Sequence, residues 1–455
     1  MLVLLAAACV PAQTGTPAHT AVVADYAVSV DGALDLDLDV TATFTGPIAG
    51  TLGVDDAAMK LVERVELEEG STWRSVQLAD SHWRAACARL CRLRYHFRLA
   101  EAARTIADVD VAIATGGAIF SPPSTWLLRP SDGPRGRYRF RVTTAPGIRF
   151  ATGIRAGAEP QTYEADTASI EEAAFAAFGA LRMGHLADPA IEYALAPGLT
   201  VPDDLAVRWL RSEVAAITAY FAHAPDGHAM LFVAPGTAPD TGGKTLGGGG
   251  ASLFVRLGTK VSPANLSADW VVAHELVHVA FPDLDRRYTW FSEGLATYVE
   301  PIARARAGLT TPEKVWAEMI EGLPQGLPGA KDGSRDWGPV YWGGALYFLL
   351  ADVRIRERTR GARGLEDGLR AVVAKEGNVE SMWPLARVLE IADAATGTTV
   401  MRELYDELGR GHTAADLDAL FRSLGVRDHH GTASFDDRAP LASVRDAILP
   451  RRATK

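Results

Sequence analysis

The 455-residue sequence has few cysteines, no surplus of basic residues and no long apolar run. Its three cysteines, Cys9, Cys87 and Cys91, are too few for a disulfide-rich scaffold. No further Cys or His pair at zinc-finger spacing lies near Cys87 and Cys91, which disfavours a structural metal site there. We predict a local disulfide between these two residues in an oxidising compartment. Half of a metal site and two unrelated thiols are the alternatives.

The charge balance excludes further classes of partner. The chain has 46 Lys and Arg residues against 56 Asp and Glu residues, a formal net charge of −10 at pH 7. Proteins that bind nucleic acids usually need a basic surplus, because contacts with phosphates dominate their affinity. A polybasic membrane-surface segment requires the same surplus. We therefore predict no nucleic-acid partner.

No apolar segment approaches the roughly 20 residues of a transmembrane helix, so we predict no membrane-spanning helix. The segment Met1–Cys9 is apolar, continues with small residues and ends in a cysteine, as an export signal does. Leu5–Cys9 also resembles a bacterial lipobox, although no positively charged residue precedes it. We expect an exported protein, either periplasmic or lipid-anchored to the envelope through Cys9. The alternative is an apolar tail on a cytosolic protein.

The first third of the chain has the period-two alternation of half-buried β-strands. From Leu34 to Phe44, apolar residues alternate with Asp and Thr. Two later segments, 91–99 and 137–142, alternate apolar residues mainly with Arg. We expect the acidic and basic rows to pair across strands on a sheet surface. From residue 267 onward the pattern is mostly helical, which predicts an α+β protein.

The strongest chemical signal is His274-Glu275-Leu276-Val277-His278, within a helix predicted over 268–281. Four residues are just over one turn, so both imidazoles lie on one face, with Cβ atoms about 6 Å apart. This geometry suits two ligands of one tetrahedral zinc ion. Glu275 lies beside the metal, where it can take a proton from a zinc-bound water. The alternative is a pair of hydrogen-bonded histidines near a surface glutamate.

Glu293 is the candidate third ligand. It follows His278 by 15 residues and lies near the start of a second predicted helix, over 290–307. If the two helices cross or run antiparallel, the Glu293 carboxylate reaches the face that carries the histidines. Two histidines, one carboxylate and one water form an open catalytic zinc site, whereas a closed structural site uses four protein ligands.

These motifs resemble those of the gluzincin metallopeptidases. His-Glu-x-x-His followed by Trp290-Phe-Ser-Glu-Gly-Leu-Ala-Thr-Tyr298 is most similar to the glycyl aminopeptidase family and, more distantly, to the aminopeptidase N family. The resemblance continues through Val340-Tyr-Trp-Gly-Gly344. By motif position it implies that Tyr341 donates a hydrogen bond to the tetrahedral intermediate. An ordinary packing role for Tyr341 is the alternative.

The resemblance implies a zinc-dependent metallopeptidase that acts on peptides or proteins. Its zinc ligands are then His274, His278 and Glu293, and its catalytic residues are Glu275 and Tyr341. One alternative is a non-catalytic envelope scaffold or peptide-binding protein that retains the zincin fold. Another is a zinc hydrolase that acts on a non-peptide amide. Glu275 argues against a scaffold, which has no use for a general base.

The resemblance and the strand pattern together predict the order of the parts. We expect a signal-like or lipobox-like segment over 1–15 and an antiparallel β-sandwich-like domain over 16–160. A thermolysin-like zincin catalytic domain is expected over 161–310. A helical C-terminal region over 311–455 then completes the active site.

One departure from these families concerns their Gly-rich edge-strand motif. In the aminopeptidases an acidic residue of that motif binds the free α-amine of the substrate. The stretch that we assign to it here, Gly247-Gly-Gly-Gly-Ala-Ser252, has no acid. Glu300 is a candidate substitute, with a supporting or surface position as the alternative. The sequence therefore leaves the choice between aminopeptidase and endopeptidase open.

Overall fold

The computed structural model describes residues 21–31, 36–79, 82–186, 190–224, 228–327, 329–409 and 416–451. The signal-like segment and Cys9 lie outside the described residues, so export and lipid anchoring stay predictions. Within the described ranges, strands dominate the first half of the chain and helices the second, as predicted. None of the helices found there is long and apolar enough to cross a membrane.

Up to residue 179, the described residues form fifteen strands, one α-helix, α1 (Leu99–Thr105), and three short 3₁₀ helices. The strands are β1 (Val22–Asp31), β2 (Asp37–Thr45), β3 (Ile48–Gly53), β4 (Val62–Glu69), β5 (Thr72–Ser75), β6 (Leu78–Ala79), β7 (His82–Cys87), β8 (Leu90–Phe97), β9 (Ile113–Thr115), β10 (Ala118–Ser121), β11 (Arg129–Pro130), β12 (Arg137–Thr144), β13 (Arg149–Thr152), β14 (Thr162–Asp166) and β15 (Ala176–Gly179). In the described chain they form a seven-stranded sheet, β14-β12-β1-β2-β8-β4-β5, and two four-stranded sheets, β13-β15-β10-β9 and β11-β3-β7-β6. Antiparallel pairs dominate, whereas β1 and β12 run parallel.

Burial in the sandwich follows the alternation of the sequence. Along β2, every second residue from 38 to 44 is buried, and the Asp and Thr residues between them are more exposed. Charged residues on the outer face pair across strands. Arg94 Nε lies 2.5 Å from Glu66 Oε2, and His96 Nδ1 lies 3.0 Å from Asp39 Oδ1. The predicted cross-strand charge pairing is confirmed. Some of the acidic partners, such as Glu66, come from β4.

The two described cysteines lie where two sheets of the sandwich meet. Cys87 ends β7 and Cys91 lies in β8, and these strands belong to different sheets. The two residues form a disulfide, with Cα atoms 5.7 Å apart. The predicted local disulfide is therefore confirmed, and it links the two sheets at their connection.

A five-stranded sheet opens the second half of the molecule. Its strands are β16 (Arg182–His185), β17 (Ile191–Leu195), β18 (Ala229–Pro235), β19 (Gly242–Leu246) and β20 (Ala251–Leu257). They are ordered β16-β17-β18-β20-β19 within the described residues. β17, β18 and β20 run parallel, and helix α2 (Asp203–Phe221) connects β17 with β18. β19 pairs antiparallel with β20 and forms one edge of the described sheet.

Helices make up most of the remaining chain. They are α3 (Val271–Ala280), α4 (Thr289–Ala307), α5 (Pro312–Gly322), α6 (Gly344–Arg358), α7 (Leu365–Val373), α8 (Leu385–Thr396), α9 (Val400–Leu404), α10 (Leu417–Leu424) and α11 (Ala442–Ile448). π-helical turns at Pro339–Gly343 and Tyr405–Gly409 precede α6 and follow α9. A small hairpin joins β21 (Val426–Asp428) to β22 (Ala433–Phe435). One hydrophobic core connects the five-stranded sheet with these helices.

The sandwich and the five-stranded sheet share an aromatic cluster. Phe120 stacks on Phe254 with ring centroids 4.3 Å apart, and Phe175 meets Phe254 edge-on at 5.6 Å. β14 and β15 follow residue 160 yet still pair with sandwich strands, so the change of sheet falls between β15 and β16. It comes later than the boundary predicted at residue 160, because strand pairing is long-range and leaves no local mark in the sequence.

Candidate metal centre and catalytic site

Helix α3 carries His274, Glu275 and His278. Its start is held by Asp269, whose carboxylate accepts a hydrogen bond from the backbone N–H of Val271 at 3.1 Å. The two histidines lie on the same side of the helix, with ring centroids 5.1 Å apart. Apolar residues on the other faces are buried in the core, which fixes the direction of both imidazoles.

Helix α4 brings Glu293 to the two histidines. Glu293 Oε2 lies 3.1 Å from His274 Nε2 and 3.4 Å from His278 Nε2. One donor atom from each of the three residues lies within 4.8 Å of the other two. Among the residues that the structure describes, no other group of three His, Cys, Asp or Glu side chains converges in this way. The three residues predicted as metal ligands are thus neighbours.

Two glycines allow helices α4 and α6 to approach closely and so bring Tyr341 to the same place. A Cβ atom on Gly294 would collide with the Gly344 backbone, so neither position has room for a side chain. Glu293 directly precedes Gly294, and Tyr341 lies in the π-helical turn just before Gly344. The Tyr341 ring stacks on His274 with centroids 6.1 Å apart. π-helical turns of this kind occur frequently at functional sites.

The edge strand β19 holds Glu275. The Thr245 hydroxyl donates a hydrogen bond to Glu275 Oε2 at 2.7 Å. A Cβ atom on Gly243 would lie 2.6 Å from Glu275 Cγ, so this close approach of strand and helix requires glycine. The carboxylate of Glu275 therefore lies beside the three candidate ligands and is oriented by the strand.

Sequence reasoning missed Thr245 and assigned the edge strand wrongly. Residues Gly247–Ser252 form a turn and the start of the inner strand β20, whereas the edge strand is Gly242–Leu246. This strand also lacks an acidic residue. Gly248 and Gly250 lie against the backbone of the sandwich with no space for a Cβ atom, which explains the glycine run. A short segment between two glycine runs is the one local signal for the edge strand.

The charges of the site are coupled. Burial opposes ionisation of Glu293, but the two histidines outweigh it and lower the pKa of this carboxyl. Burial opposes protonation of His278, yet the charges of Glu293 and Glu275 raise the pKa of its imidazole to about 9. Burial, followed by the charge of Glu293, raises the pKa of Tyr341 far above its usual value. Tyr341 is therefore protonated at neutral pH and can donate a hydrogen bond.

The donor set fits zinc. Two imidazole nitrogens and one carboxylate oxygen are the protein ligands of many catalytic zinc sites, which leave a fourth position for water or substrate. The buried Nδ1 atom of His274 has no hydrogen-bond partner among the described residues, so this ring is oriented through its Nε2 atom, toward Glu293. A dication bound beside Glu293 would displace the proton of His278, because a metal ligand must be unprotonated.

Glu300 lies in α4, two turns beyond Glu293, and is buried. Its Oε1 atom lies 3.0 Å from Arg304 Nη1, and Arg304 Nε lies 3.1 Å from Glu213 Oε2. The same guanidinium donates to the Ser267 carbonyl at 2.8 Å. Two carboxyl groups thus share one buried cation. Glu300 belongs to this cluster, which fits neither a surface position nor an anchor for a substrate amine.

Comparison with known proteins defines the fold. No family model and no curated protein matches this sequence. An aminopeptidase N family protein from Idiomarina loihiensis is 14% identical, with a TM-score of 0.70 over 92% of this chain and 82% of that chain. A mutant M1 zinc metallopeptidase from Deinococcus radiodurans, bound to a Tyr-Ser-Ala substrate, is 18% identical, with a TM-score of 0.53 over 87% of this chain and 94% of that chain.

The chain therefore has the fold of the aminopeptidase N family and M1 zinc metallopeptidase structures. The predicted fold class is confirmed: an antiparallel β-sandwich-like part precedes a thermolysin-like zincin part with a helical C-terminal region. The resemblance to the gluzincins read from the sequence agrees with this fold.

Proposed function

We propose that this protein is a zinc-dependent metallopeptidase that hydrolyses peptide bonds. One observation carries the proposal. Glu293 Oε2 lies 3.1 Å and 3.4 Å from the Nε2 atoms of two histidines on one helix, and Glu275 on that helix is held beside them. The shared fold with aminopeptidase N and M1 structures supports the same class of enzyme.

Each residue of the site has a chemical role in this proposal. His274, His278 and Glu293 bind zinc, which supplies Lewis acidity to the scissile carbonyl and to water. Glu275 accepts a proton from the attacking water. It then delivers that proton to the leaving nitrogen as the C–N bond breaks.

Tyr341 stabilises the negative charge that develops on the carbonyl oxygen. Its raised pKa keeps the phenol protonated, and its ring is fixed against His274. A donor of this kind, aimed at a developing oxyanion, is worth about 3 kcal/mol of transition-state stabilisation. The close contact between Gly294 and Gly344 keeps the phenol near the candidate ligands.

We propose an extended peptide as the substrate. The edge strand β19 lies beside Glu275, and an unpaired strand edge can bind an extended peptide through backbone hydrogen bonds. The M1 metallopeptidase from Deinococcus radiodurans with the same fold was crystallised with Tyr-Ser-Ala. Neither β19 nor Glu300 offers a carboxylate for a free α-amine. We infer that cleavage does not require a free N-terminus.

A non-catalytic scaffold is the less favoured alternative, because Tyr341 stacks on His274 and the charge of Glu275, held by Thr245, is close enough to help raise the pKa of His278. We also propose export, either to the periplasm or to the envelope with Cys9 as the lipid attachment site. The disulfide between Cys87 and Cys91 supports export, since disulfides persist mainly in oxidising compartments.

Metal analysis and peptide-library profiling test the proposal. We expect one zinc ion per chain, and cleavage of both free and N-acetylated peptides by the zinc-loaded protein. Glu275→Gln, purified in parallel, controls for contaminating peptidases. Absence of zinc, or equal cleavage by the Glu275→Gln preparation, would refute a zinc peptidase. Cleavage confined to peptides with a free N-terminus would instead indicate an aminopeptidase.

A further inference from the structure

A row of four aromatic rings crosses the candidate site. Trp337 stacks on Tyr341 at 5.8 Å between centroids, Tyr341 stacks on His274 at 6.1 Å, and Trp270 meets His274 edge-on at 5.3 Å. The first three rings are nearly parallel, with interplanar angles of 24° and 23°. We call these four residues the aromatic row. His274 is a candidate zinc ligand, so the row lies at the centre of the proposed chemistry.

The tryptophans at the two ends of the row are exposed to solvent. Trp270 is 49% exposed and Trp337 is 57% exposed, whereas most large apolar side chains in the described residues are buried. Single exposed apolar residues are common on protein surfaces and need no explanation. Two exposed tryptophans that flank one candidate catalytic centre are different, because tryptophan offers a large apolar ring and is enriched at binding interfaces.

Hydrogen bonds hold the chain at or near both tryptophans. Trp270 directly precedes α3, and its carbonyl accepts a hydrogen bond from the backbone N–H of His274 at 3.1 Å. The segment before Trp337 is anchored by Asp332, whose carboxylate accepts hydrogen bonds from Trp290 Nε1 at 3.1 Å and Tyr405 Oη at 2.7 Å. Each indole also packs on a ring of the site, Trp270 on His274 and Trp337 on Tyr341. Side chains held in this way lose less conformational entropy when they bind a partner.

We propose that Trp270 and Trp337 select peptides that carry an aromatic or large apolar side chain next to the scissile bond. This inference rests on the proposed peptidase function and names its substrate class. A bulky apolar side chain that covers either indole face removes apolar surface of both partners from water. Offset stacking adds to that gain. The backbone edge of β19 accepts any extended peptide, so discrimination has to come from side chains such as these.

Binding to an inactive variant tests the preference directly. Zinc-loaded Glu275→Gln protein is titrated by calorimetry with two series of short peptides. In one series the residue before the central bond is Phe, Ala or Lys, and in the other series the residue after that bond is varied in the same way. We expect the Phe peptide to bind about tenfold more tightly than the Ala peptide. In the same background, Trp337→Ala or Trp270→Ala should lower the affinity for the Phe peptide several-fold more than the affinity for the Ala peptide, and the double variant should remove most of the ratio. Trp337→Phe should retain part of it.

Trp73→Ala is the matched control. This partly exposed indole lies on the sandwich, with the Arg94 guanidinium 4.5 Å from its ring centroid, and its removal should not alter the ratio. Equal affinity for Phe and Ala peptides, tighter binding of the Lys peptide, or no measurable binding would overturn the inference. So would an equal loss for both peptides in the tryptophan variants. Peptide hydrolysis by the wild-type protein is measured separately. Selective binding without hydrolysis would contradict the proposed peptidase function but leave the binding preference intact.

Discussion

The Thr245 hydroxyl donates a hydrogen bond to Glu275 Oε2 at 2.7 Å and thereby connects the edge strand with the proposed general base. Gly243, two residues earlier on the same strand, leaves just enough space for the Glu275 side chain. Strand β19 therefore has two roles in the proposed enzyme. It offers a backbone edge to the substrate, and it sets the direction of the carboxylate that accepts the proton.

Replacing Thr245 with valine should lower kcat and leave KM nearly unchanged. Valine has a similar size but cannot donate, and a hydrogen bond to a charged group is worth about 1.5–3 kcal/mol. We expect kcat to fall roughly 10- to 100-fold, measured by steady-state peptide hydrolysis. Thr245→Ser keeps the hydroxyl and should recover most of the rate. An unchanged kcat in the valine variant would show that β19 does not orient Glu275.

Replacing Glu275 with glutamine should strongly lower turnover while zinc is retained. The amide keeps the size of the side chain but cannot accept a proton at neutral pH, so the rate should fall roughly 10²- to 10⁴-fold. Elemental analysis and single-turnover kinetics on the same preparation measure both properties. Loss of zinc from this variant would instead make Glu275 a metal ligand.

Replacing His278 with alanine should remove zinc binding. The variant loses one of three protein donors. Removing a residue that only hydrogen-bonds to a ligand lowers metal affinity roughly 10- to 100-fold, so removing a ligand itself should lower zinc affinity by more than that. Competition with a chromogenic chelator measures the affinity. His96→Ala, in the sandwich, is the control and should bind zinc normally, because His96 pairs with Asp39 far along the chain from α3. Undiminished zinc in His278→Ala would move the metal to other residues.

A single methyl group at Gly344 should damage the site without touching a catalytic side chain. A Cβ atom there would collide with the Trp290 carbonyl and lie 2.6 Å from Gly294 Cα, so α4 and α6 must separate. Overpacking of this kind costs about 1–3 kcal/mol of stability. Since Tyr341 and Glu293 lie on opposite sides of that contact, we also expect kcat to drop at least about tenfold.

Denaturant unfolding and peptide hydrolysis together measure the Gly344→Ala effects. Gly50→Ala is the control, because a Cβ atom on Gly50 meets nothing within 4 Å. A Gly344→Ala variant with normal stability and normal kcat would mean that the contact between the two helices does not set the position of Tyr341.

The buried cluster around Arg304 should make stability depend on pH. Burial raises the pKa of Glu213 to about 7 and that of Glu300 to about 8, with Arg304 opposing both shifts. An acid whose pKa is raised by folding binds more protons in the folded state. The free energy of unfolding should therefore decline as the pH rises from about 4.5, the usual value for glutamate, to about 8.

Replacing Glu300 with glutamine should flatten that decline by about 1–3 kcal/mol. Chemical denaturation at the two ends of this pH range, with zinc in excess, measures the difference for variant and wild type. The exposed Glu171 provides the control substitution, Glu171→Gln, which should leave the pH dependence intact. An unchanged pH dependence in Glu300→Gln would assign the proton uptake to other groups.

The helices of the site can be predicted from sequence because their signals are local. The predicted helix over 268–281 contains α3 (Val271–Ala280), and that over 290–307 nearly coincides with α4 (Thr289–Ala307). Two candidate ligands lie one turn apart on the first helix, and the third lies in the first turns of the next. Their convergence therefore needs only one reversal of the chain.

The remaining parts depend on pairing between distant segments. Thr245 meets Glu275 only after β19 has paired with β20 and the sheet edge has packed on α3. The late change of sheet, after β15, has the same origin. The two glycine runs bound a short segment, but no local pattern records which strands become neighbours. The sequence therefore predicts neither the edge position of β19 nor the contact of the Thr245 hydroxyl with Glu275.

The aromatic cluster between the sandwich and the five-stranded sheet has a consequence for how the molecule is made. Phe120 and Phe175 are synthesised before Phe254, and N-terminal parts generally fold first as a chain emerges. The face of the five-stranded sheet that carries Phe254 is buried only when it packs on Phe120 and Phe175 of the sandwich. We therefore expect the sandwich to act as an intramolecular template for the half that carries the histidines, so that this half expressed alone would expose an apolar face and aggregate.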